Sequence, residues 1–597
     1  MNRRPVRAVH TVEEKLLQSR VLFFGVLLSL FCGLIFIWGL GDIPFYTKGQ
    51  PREATVVWEV YHNGDWILPL RNGHIIPSKP PLFHWLGTSA ALALGQLSEF
   101  SIRFPSALLA LLGVLLTYRV GAVLWGVEAG LIAGLTLATS FEWVRAATTA
   151  RVDMTLTFFM VAAFFSFWSM YRKQRVGWLE ALGFFCLLGL ATLAKGPIGA
   201  VLPGLVIGVF LCVKRDLLFV RHLHLVTGGL LFLLIAGSWY ALALWYGGEA
   251  FFDKQIMKEN WWRFFSSESA GAGHVHPFYY FIPNLFLGMA PWSFFFPPLL
   301  YFLYQYRQGW AEKNFTYLIV WIVTIFVFYS ASSSKRTVYI LPLYPAIALL
   351  LGAWWQELRR GEIDLPPGFL ALLQAAGAVC CGVIGLAMLG VIAQAGGFDP
   401  LGLIRPFLHP KDQSNLPMFT GIVAGHPGAF TGWFLGVGSA LVLLVWGLRR
   451  QSWDRVFGGL VVFTTSIFLL INHVIQPTLA AARTFRPFMG RVVERVEEQP
   501  LFFFRSFDSG ALYYADRRIP FYFPPTTPKT NYFILLWEEE WERLQADGFA
   551  DQLRISDTSE GTGPKGNHRL HLVEVPASLE LPPWEDDLKG LIRKDAM

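Results

Sequence analysis

Apolar residues in this chain come in long blocks, separated by short polar stretches that carry most of the charge. A block of about 17 to 25 apolar residues is long enough to cross a bilayer as a helix. The pattern predicts roughly thirteen such spans. They are Val21–Leu40, Pro105–Trp125, Ala129–Ala147, Asp153–Tyr171, Trp178–Leu193, Pro197–Val213, Leu223–Trp245, Phe278–Leu303, Phe315–Ala331, Val338–Trp355, Phe369–Ile392, Ala429–Leu448 and Val456–Ile475. Leu82–Leu97 is the ambiguous block. If it is counted as a span, Arg172-Lys173-Gln174-Arg175, Lys214-Arg215, Arg359-Arg360 and Arg449-Arg450 all fall outside, against the positive-inside bias. If it is read as a helix lying at the interface, all four clusters fall inside together.

That choice sets the rest of the expected topology. Residues 1–20 are cytoplasmic, residues 21–475 form the membrane body, and residues 41–99 are a first extracytoplasmic loop. Residues 247–277 and 395–427 form further outer loops, and 476–597 form a C-terminal extracytoplasmic domain. In that tail Leu501–Phe504, Tyr532–Leu536 and Leu570–Val575 read as short strands, and Val492–Glu498 and Glu538–Gln545 read as helices. The fold class is therefore an all-α polytopic membrane domain with a small C-terminal α/β domain.

Composition agrees with the membrane reading. The 597 residues are 54% hydrophobic and 15% charged, with 52 Phe and 23 Trp, whereas an ordinary soluble domain is about a quarter charged. The net charge of +7 sits in short clusters between apolar blocks, so it marks loops rather than a nucleic-acid partner. All five cysteines lie inside apolar blocks, which speaks against disulfides and a cysteine metal site. The basic N-terminus runs into a full-length apolar block, so the first span is expected to be uncleaved.

Three outer turns break the charge bias: Arg145–Arg151, Ala194-Lys195-Gly196 and Ser332–Thr337, the last with Lys335 and Arg336. Basic residues at that level point to an anionic ligand. Lys195-Gly196-Pro197 puts a cation beside a helix start, a natural phosphate seat. Lys79, ahead of Pro80-Pro81, is presented on extended backbone, although an interfacial lysine would look the same. Arg52 and Glu53 could be a simple ion pair. Asp153, at the start of a span, could serve only the helix dipole. His274 and His276 form a His-X-His pair that admits a divalent metal, a weak signal by itself.

Taken in order, these residues resemble a known family. Pro51-Arg52-Glu53-Ala54, Gly64-Asp65-Trp66, Lys79-Pro80-Pro81-Leu82, Arg103-Phe104-Pro105, Arg151-Val152-Asp153-Met154, Lys195-Gly196-Pro197, His276-Pro277, Pro291-Trp292 and Lys335-Arg336 are similar to stretches of the GT-C class polyprenyl-phosphate-dependent glycosyltransferases. Within that class they resemble the protein O-mannosyltransferase-like and lipid A aminoarabinose transferase-like group. The resemblance implies a bacterial inner-membrane enzyme that moves a sugar from a polyprenyl-phosphate donor to a lipid or glycan acceptor. It carries over Asp153 as a catalytic carboxylate and Lys79 directly, with Glu53, three positions from Gln50, as the substitute catalytic carboxylate; Arg52, Lys79, Lys195, Lys335 and Arg336 are the cations available for the donor phosphate. His276 is the candidate metal ligand. No other cofactor is implied.

The chain also departs from that family. Relatives commonly carry an acidic residue where it has Gly49 or Gln50, and another where it has Ser78 ahead of Lys79. Three explanations stand at this stage. The acceptor is a phosphate that needs no base, or Glu53 supplies the base, or catalysis is lost and the chain is an envelope-assembly subunit. A transporter of lipid-linked sugars is the remaining alternative.

Overall fold

A computed structural model describes residues 4–262, 275–310, 314–395, 397–398, 402, 405–407, 416–505, 507–522, 528, 530–564 and 568–581. His274 and the glycines before it lie outside the described residues. Nine helices among the described residues are long and apolar enough to cross a membrane, or up to eleven if two bent pairs count as one span each. The expected thirteen segments all coincide with helical stretches. Two of them, Ile198–Lys214 and Phe315–Ala331, are shorter than the spanning length.

Three local expectations are corrected. The block Phe278–Leu303 is not one straight span, because Phe278–Gly288 and Trp292–Gln305 meet at 109°. Ala129–Ala147 is likewise broken, by 67°, between Val127–Ala138 and Phe141–Ala147. The outer loop expected from Gly247 is helical as far as Trp262. Gly247-Gly248 reads as a breaker, yet Gly248 absorbs the bend with φ 53° and the helix resumes.

The elements that position the site come early. Helix α1 (Arg4–Cys32) leads to α2 (Gly49–Asn63), α3 (Leu82–Leu94) and α4 (Glu99–Trp125). Then come α5 (Val127–Ala138), α6 (Phe141–Ala147), α7 (Val152–Lys173), α8 (Trp178–Lys195) and α9 (Ile198–Lys214). Helix α2 starts with Gly49-Gln50-Pro51, where a proline needs no amide partner, and stops at Gly64 in the left-handed region with φ 70°. Helix α4 is capped by Ser98, whose hydroxyl accepts from Ser101 N, with the reciprocal bond also made. One buried apolar core joins α1, α4, α5, α7 and α8 to Tyr344–Arg359.

The C-terminal region holds a four-stranded sheet in the order β1-β2-β4-β3. Its strands are β1 (Leu501–Phe503), β2 (Tyr532–Trp537), β3 (Arg554–Thr558) and β4 (Leu570–Val575). β1 and β2 run parallel; the other pairs are antiparallel. The run Tyr532–Leu536 is buried on both faces. Phe533 and Leu535 pack with the helix Arg486–Val496, while Tyr532, Ile534 and Leu536 pack with Leu544. Ile75 of the first loop joins the former cluster, so the sheet domain and the first loop share a core.

Candidate active site

Helix α2 is held at its start by a buried arginine. Arg103 of α4 donates through Nε to Gln50 Oε1 at 2.9 Å and through Nη1 to the carbonyls of Leu40 at 2.9 Å and Ile43 at 2.5 Å. Gln50 Oε1 also accepts from Ala150 N at 3.1 Å. Gln50, one of the positions where the family resemblance led to the expectation of an acid, thus ties α2 to the turn that precedes α7. Its neighbour Gly49 has a different role. A Cβ on Gly49 would lie 1.7 Å from Arg151 Nη2 and 2.4 Å from its Cζ. The guanidinium of Arg151 fills the space that any side chain at position 49 would need.

These elements enclose a cavity of about 550 Å³, lined by Arg52, Glu53, Lys79, Arg151, Asp153, Lys195, Glu259, Arg336 and a set of apolar residues. That volume suits a bound small molecule or lipid headgroup. Six of the eight residues singled out in the sequence therefore meet here: Arg52, Glu53, Lys79, Asp153, Lys195 and Arg336. The other two do not line the cavity. Lys335 is buried with its ammonium on the carbonyls of His276 at 3.0 Å and Ser332 at 2.5 Å. It ties one turn to another. His276 stacks its ring on Tyr280, with centroids 4.1 Å apart.

No group of three metal-ligating side chains occurs among the described residues. The described residues therefore offer no divalent metal site, and His274, the other member of the His-X-His pair, lies outside them.

The acidic side chains around the cavity are all taken. Glu53 Oε1 accepts from Arg52 Nη2 at 2.8 Å, and Glu53 Oε2 lies 2.9 Å from Nε2 of the buried His84 of α3. Burial alone would raise the Glu53 carboxyl. The charge of Arg52 and the bonds from His84 and Arg52 outweigh burial and hold it well below the usual carboxylate range. Asp153, at the start of α7, pairs with Lys195, whose ammonium also lies 4.4 Å from the ring centre of Tyr339. Glu259 pairs with Lys79 at 2.6 Å, from 180 residues away. A carboxylate held this firmly by cations is a weak base.

Two cations are not taken. Arg151 and Arg336 line the cavity and form no ion pair or side-chain hydrogen bond with any described residue. Arg336 Nε is fully buried without a partner. Burial, opposed by Asp153 and reinforced by Arg52, lowers the Arg151 guanidinium from its ordinary value. Neither arginine has a carboxylate within ion-pair distance among the described residues, although both act on Asp153 through their charge. Arg151 and Glu259 were not singled out as site residues from sequence. The Arg-Val-Asp-Met motif contained the first, but only the fold shows that Gly49 makes room for it.

The far side of the cavity is apolar. Val152, Pro197, Ile198, Val201, Ile256, Met257 and Phe328 line it, and Val201 is 55% exposed on the outer surface of α9. An exposed apolar residue on a membrane helix faces lipid, so the cavity meets the bilayer there.

The chain was compared with known proteins. Residues 78–240 match the family model described as dolichyl-phosphate-mannose-protein mannosyltransferase. An uncharacterized protein of Aquifex aeolicus is 31% identical over 328 residues, 55% of this chain and 72% of that protein. The undecaprenyl phosphate-alpha-4-amino-4-deoxy-L-arabinose arabinosyl transferase of Pectobacterium carotovorum is 28% identical over 481 residues, 78% of each chain. Among solved structures, ArnT from Cupriavidus metallidurans bound to undecaprenyl phosphate superposes with TM-score 0.70 at 20% identity, covering 93% of this chain and 99% of that one. The last likeness establishes a shared fold.

Proposed function

The chain belongs to the polyprenyl-phosphate-dependent glycosyltransferases of the GT-C class, and from that premise we propose that it moves a sugar onto an anionic group of a lipid or cell-envelope glycan. It is a multi-pass membrane enzyme that uses a polyprenyl-phosphate sugar donor. Its site lies at the extracytoplasmic face of the inner membrane, with the N-terminus in the cytoplasm and the sheet domain outside. One observation carries this reading: every carboxylate lining the cavity is ion-paired to a cation, while Arg151 and Arg336 form no ion pair with any described residue.

The donor's isoprenoid tail lies along Ile198, Val201 and Phe328, and its phosphate sits between Arg151 and Arg336. An oxygen of the acceptor attacks the anomeric carbon as the bond from that carbon to the phosphate oxygen breaks. The leaving polyprenyl phosphate gains negative charge, and the two arginines meet it where it develops. Arg52, Lys79 and Lys195, largely neutralised by the carboxylates that fix their positions, line the walls around it. A hydroxyl acceptor would need a base to remove its proton, and the firmly held Glu53 and Asp153 are poor ones. A phosphate arrives already ionised. This favours the first of the three explanations for the acids missing at Gly49, Gln50 and Ser78.

The test is transfer by the purified full chain in lipid, from an undecaprenyl-phosphate sugar to a glycolipid with and without its phosphate. The 4-amino-4-deoxy-L-arabinose donor in the Pectobacterium enzyme's name is the first to use. Sugar on the phosphorylated glycolipid, with undecaprenyl phosphate released, is the expected result. Equal transfer to the dephosphorylated glycolipid overturns the anionic acceptor. Donor binding without turnover overturns the enzyme in favour of an assembly subunit.

A further inference from the structure

Between α2 and α3 the chain makes a tight hairpin whose residues the reaction above does not use. Arg71 and Ile75 pair through two backbone hydrogen bonds, Arg71 N to Ile75 O at 2.9 Å and Ile75 N to Arg71 O at 3.0 Å. Asn72 and Gly73 turn the chain with φ 53° and 78°, the left-handed region that both residue types tolerate. The hairpin is also pinned from the sheet domain. The Asn72 amide donates to Ile519 O at 2.7 Å and accepts from Ile519 N at 2.9 Å.

The first residue of the hairpin is a cation with no ion pair among the described residues. Arg71 is 2% exposed, and its side chain forms no ion pair or hydrogen bond with any described residue. Its Nε is fully buried and orphaned. A guanidinium has five N–H donors and keeps its proton in proteins, and a buried charge is normally paired. Burial, with the repulsion of Arg52 added and the attraction of Glu53 opposing, lowers Arg71 to about 10. Lys254 also lies within reach of its charge. The hairpin therefore holds a second focus of positive charge beside Arg52, and Arg71 does not line the cavity where Arg151 and Arg336 stand.

We propose that Arg71 is the centre of a second anion site, separate from the donor-phosphate seat, which takes a phosphate or carboxylate of the acceptor. Calling the ligand's owner the acceptor rests on the glycosyltransferase reading; the second anion site itself does not. Two anion sites flanking Arg52 and Glu53 let the enzyme hold a donor phosphate and an acidic acceptor at once, with the reacting carbon between them. The sheet domain, through Asn72 and Ile519, sets where the second anion sits.

The experiment uses the purified full chain in nanodiscs, first saturated with undecaprenyl phosphate and then titrated with glucosamine 1-phosphate by calorimetry. The wild type is expected to bind one glucosamine 1-phosphate on top of the lipid. Arg71→Gln is expected to weaken that event at least ten-fold, Arg71→Lys less, and both keep the affinity for undecaprenyl phosphate within two-fold. Arg71→Met is expected to melt higher than the wild type, because an unpaired buried charge has gone, and to lose the wild type's upward shift in Tm with glucosamine 1-phosphate. Absence of second-anion binding to the lipid-saturated wild type overturns the proposal, as does equal binding by Arg71→Gln. Competition between glucosamine 1-phosphate and undecaprenyl phosphate for one site in the wild type overturns it too. Failure of undecaprenyl phosphate itself to bind falls on the donor reading instead.

Discussion

The two walls of the cavity use basic side chains differently. On one wall Arg52 and Lys79, from α2 and the stretch before α3, are each tied to a carboxylate within 2.8 Å. On the other, Lys195 is paired with Asp153, but Arg151 and Arg336, from the turns that open α7 and the helical stretch Thr337–Leu343, form no ion pair with any described residue. The paired cations are locked in place, and much of their charge is already spent. The unpaired ones keep theirs for a ligand. The lesson is that a cluster of lysines and arginines near a site is not uniform. On the function proposed above, those left without an acid are the seat of the anion.

The sharpest way to break this contrast is to remove the unpaired charges. Arg151→Gln and Arg336→Gln are each expected to lower kcat/KM for sugar transfer by about 100-fold, near 3 kcal/mol, the scale for losing one preorganised contact to developing charge. Steady-state transfer rates on protein of unchanged melting behaviour check this. Losses under three-fold would return the phosphate to the paired wall.

The next test acts on Arg151 through its neighbour. Gly49→Ala puts a methyl where the guanidinium lies and is expected to cost about 10- to 100-fold in transfer, or 1.4 to 2.8 kcal/mol. In the double variant with Arg151→Gln the alanine should add nothing further, because its target has gone. A full additive loss would mean that Gly49 acts in some other way.

The smallest effect belongs to Glu53. Its carboxyl is held below the ordinary value near 4.5. Its stabilising contribution is thus present above about pH 4.5 and lost as pH falls through the lower folded value. Glu53→Gln is expected to destabilise the protein by about 1 to 3 kcal/mol at pH 7, with the deficit narrowing below about pH 4. Between about pH 5 and 8 the wild-type rate should show no acid limb from Glu53. A limb near pH 6 that disappears in Glu53→Gln would make this residue the base after all.

Much of the membrane body was legible because long apolar blocks leave few alternatives to a spanning helix. Breaks at 109° within such a block were not, since composition does not record direction. In the sheet domain the buried strands β2 and β4 stood out as apolar runs. The strand Arg554–Thr558 did not, because it is an edge strand none of whose residues is buried. At the site, charge against the sidedness bias led to Lys195 and Arg336, and the two prolines that follow it led to Lys79. The partner of Lys79 was hidden 180 residues away in a stretch read as loop. Gln50 and Gly49 looked like losses. In the fold Gln50 is a bracket for Ala150 N and Gly49 is a vacancy for Arg151, and neither role shows without coordinates.

Val201, half uncovered on the outer surface of α9, carries a kinetic consequence. A pocket with a doorway onto the leaflet recruits its long-tailed donor by sideways diffusion, and the donor need never enter water. Turnover then follows the mole fraction of that lipid in the membrane and ignores its amount per litre. Diluting the same vesicles leaves the rate per enzyme untouched, and diluting the donor with inert phospholipid slows it.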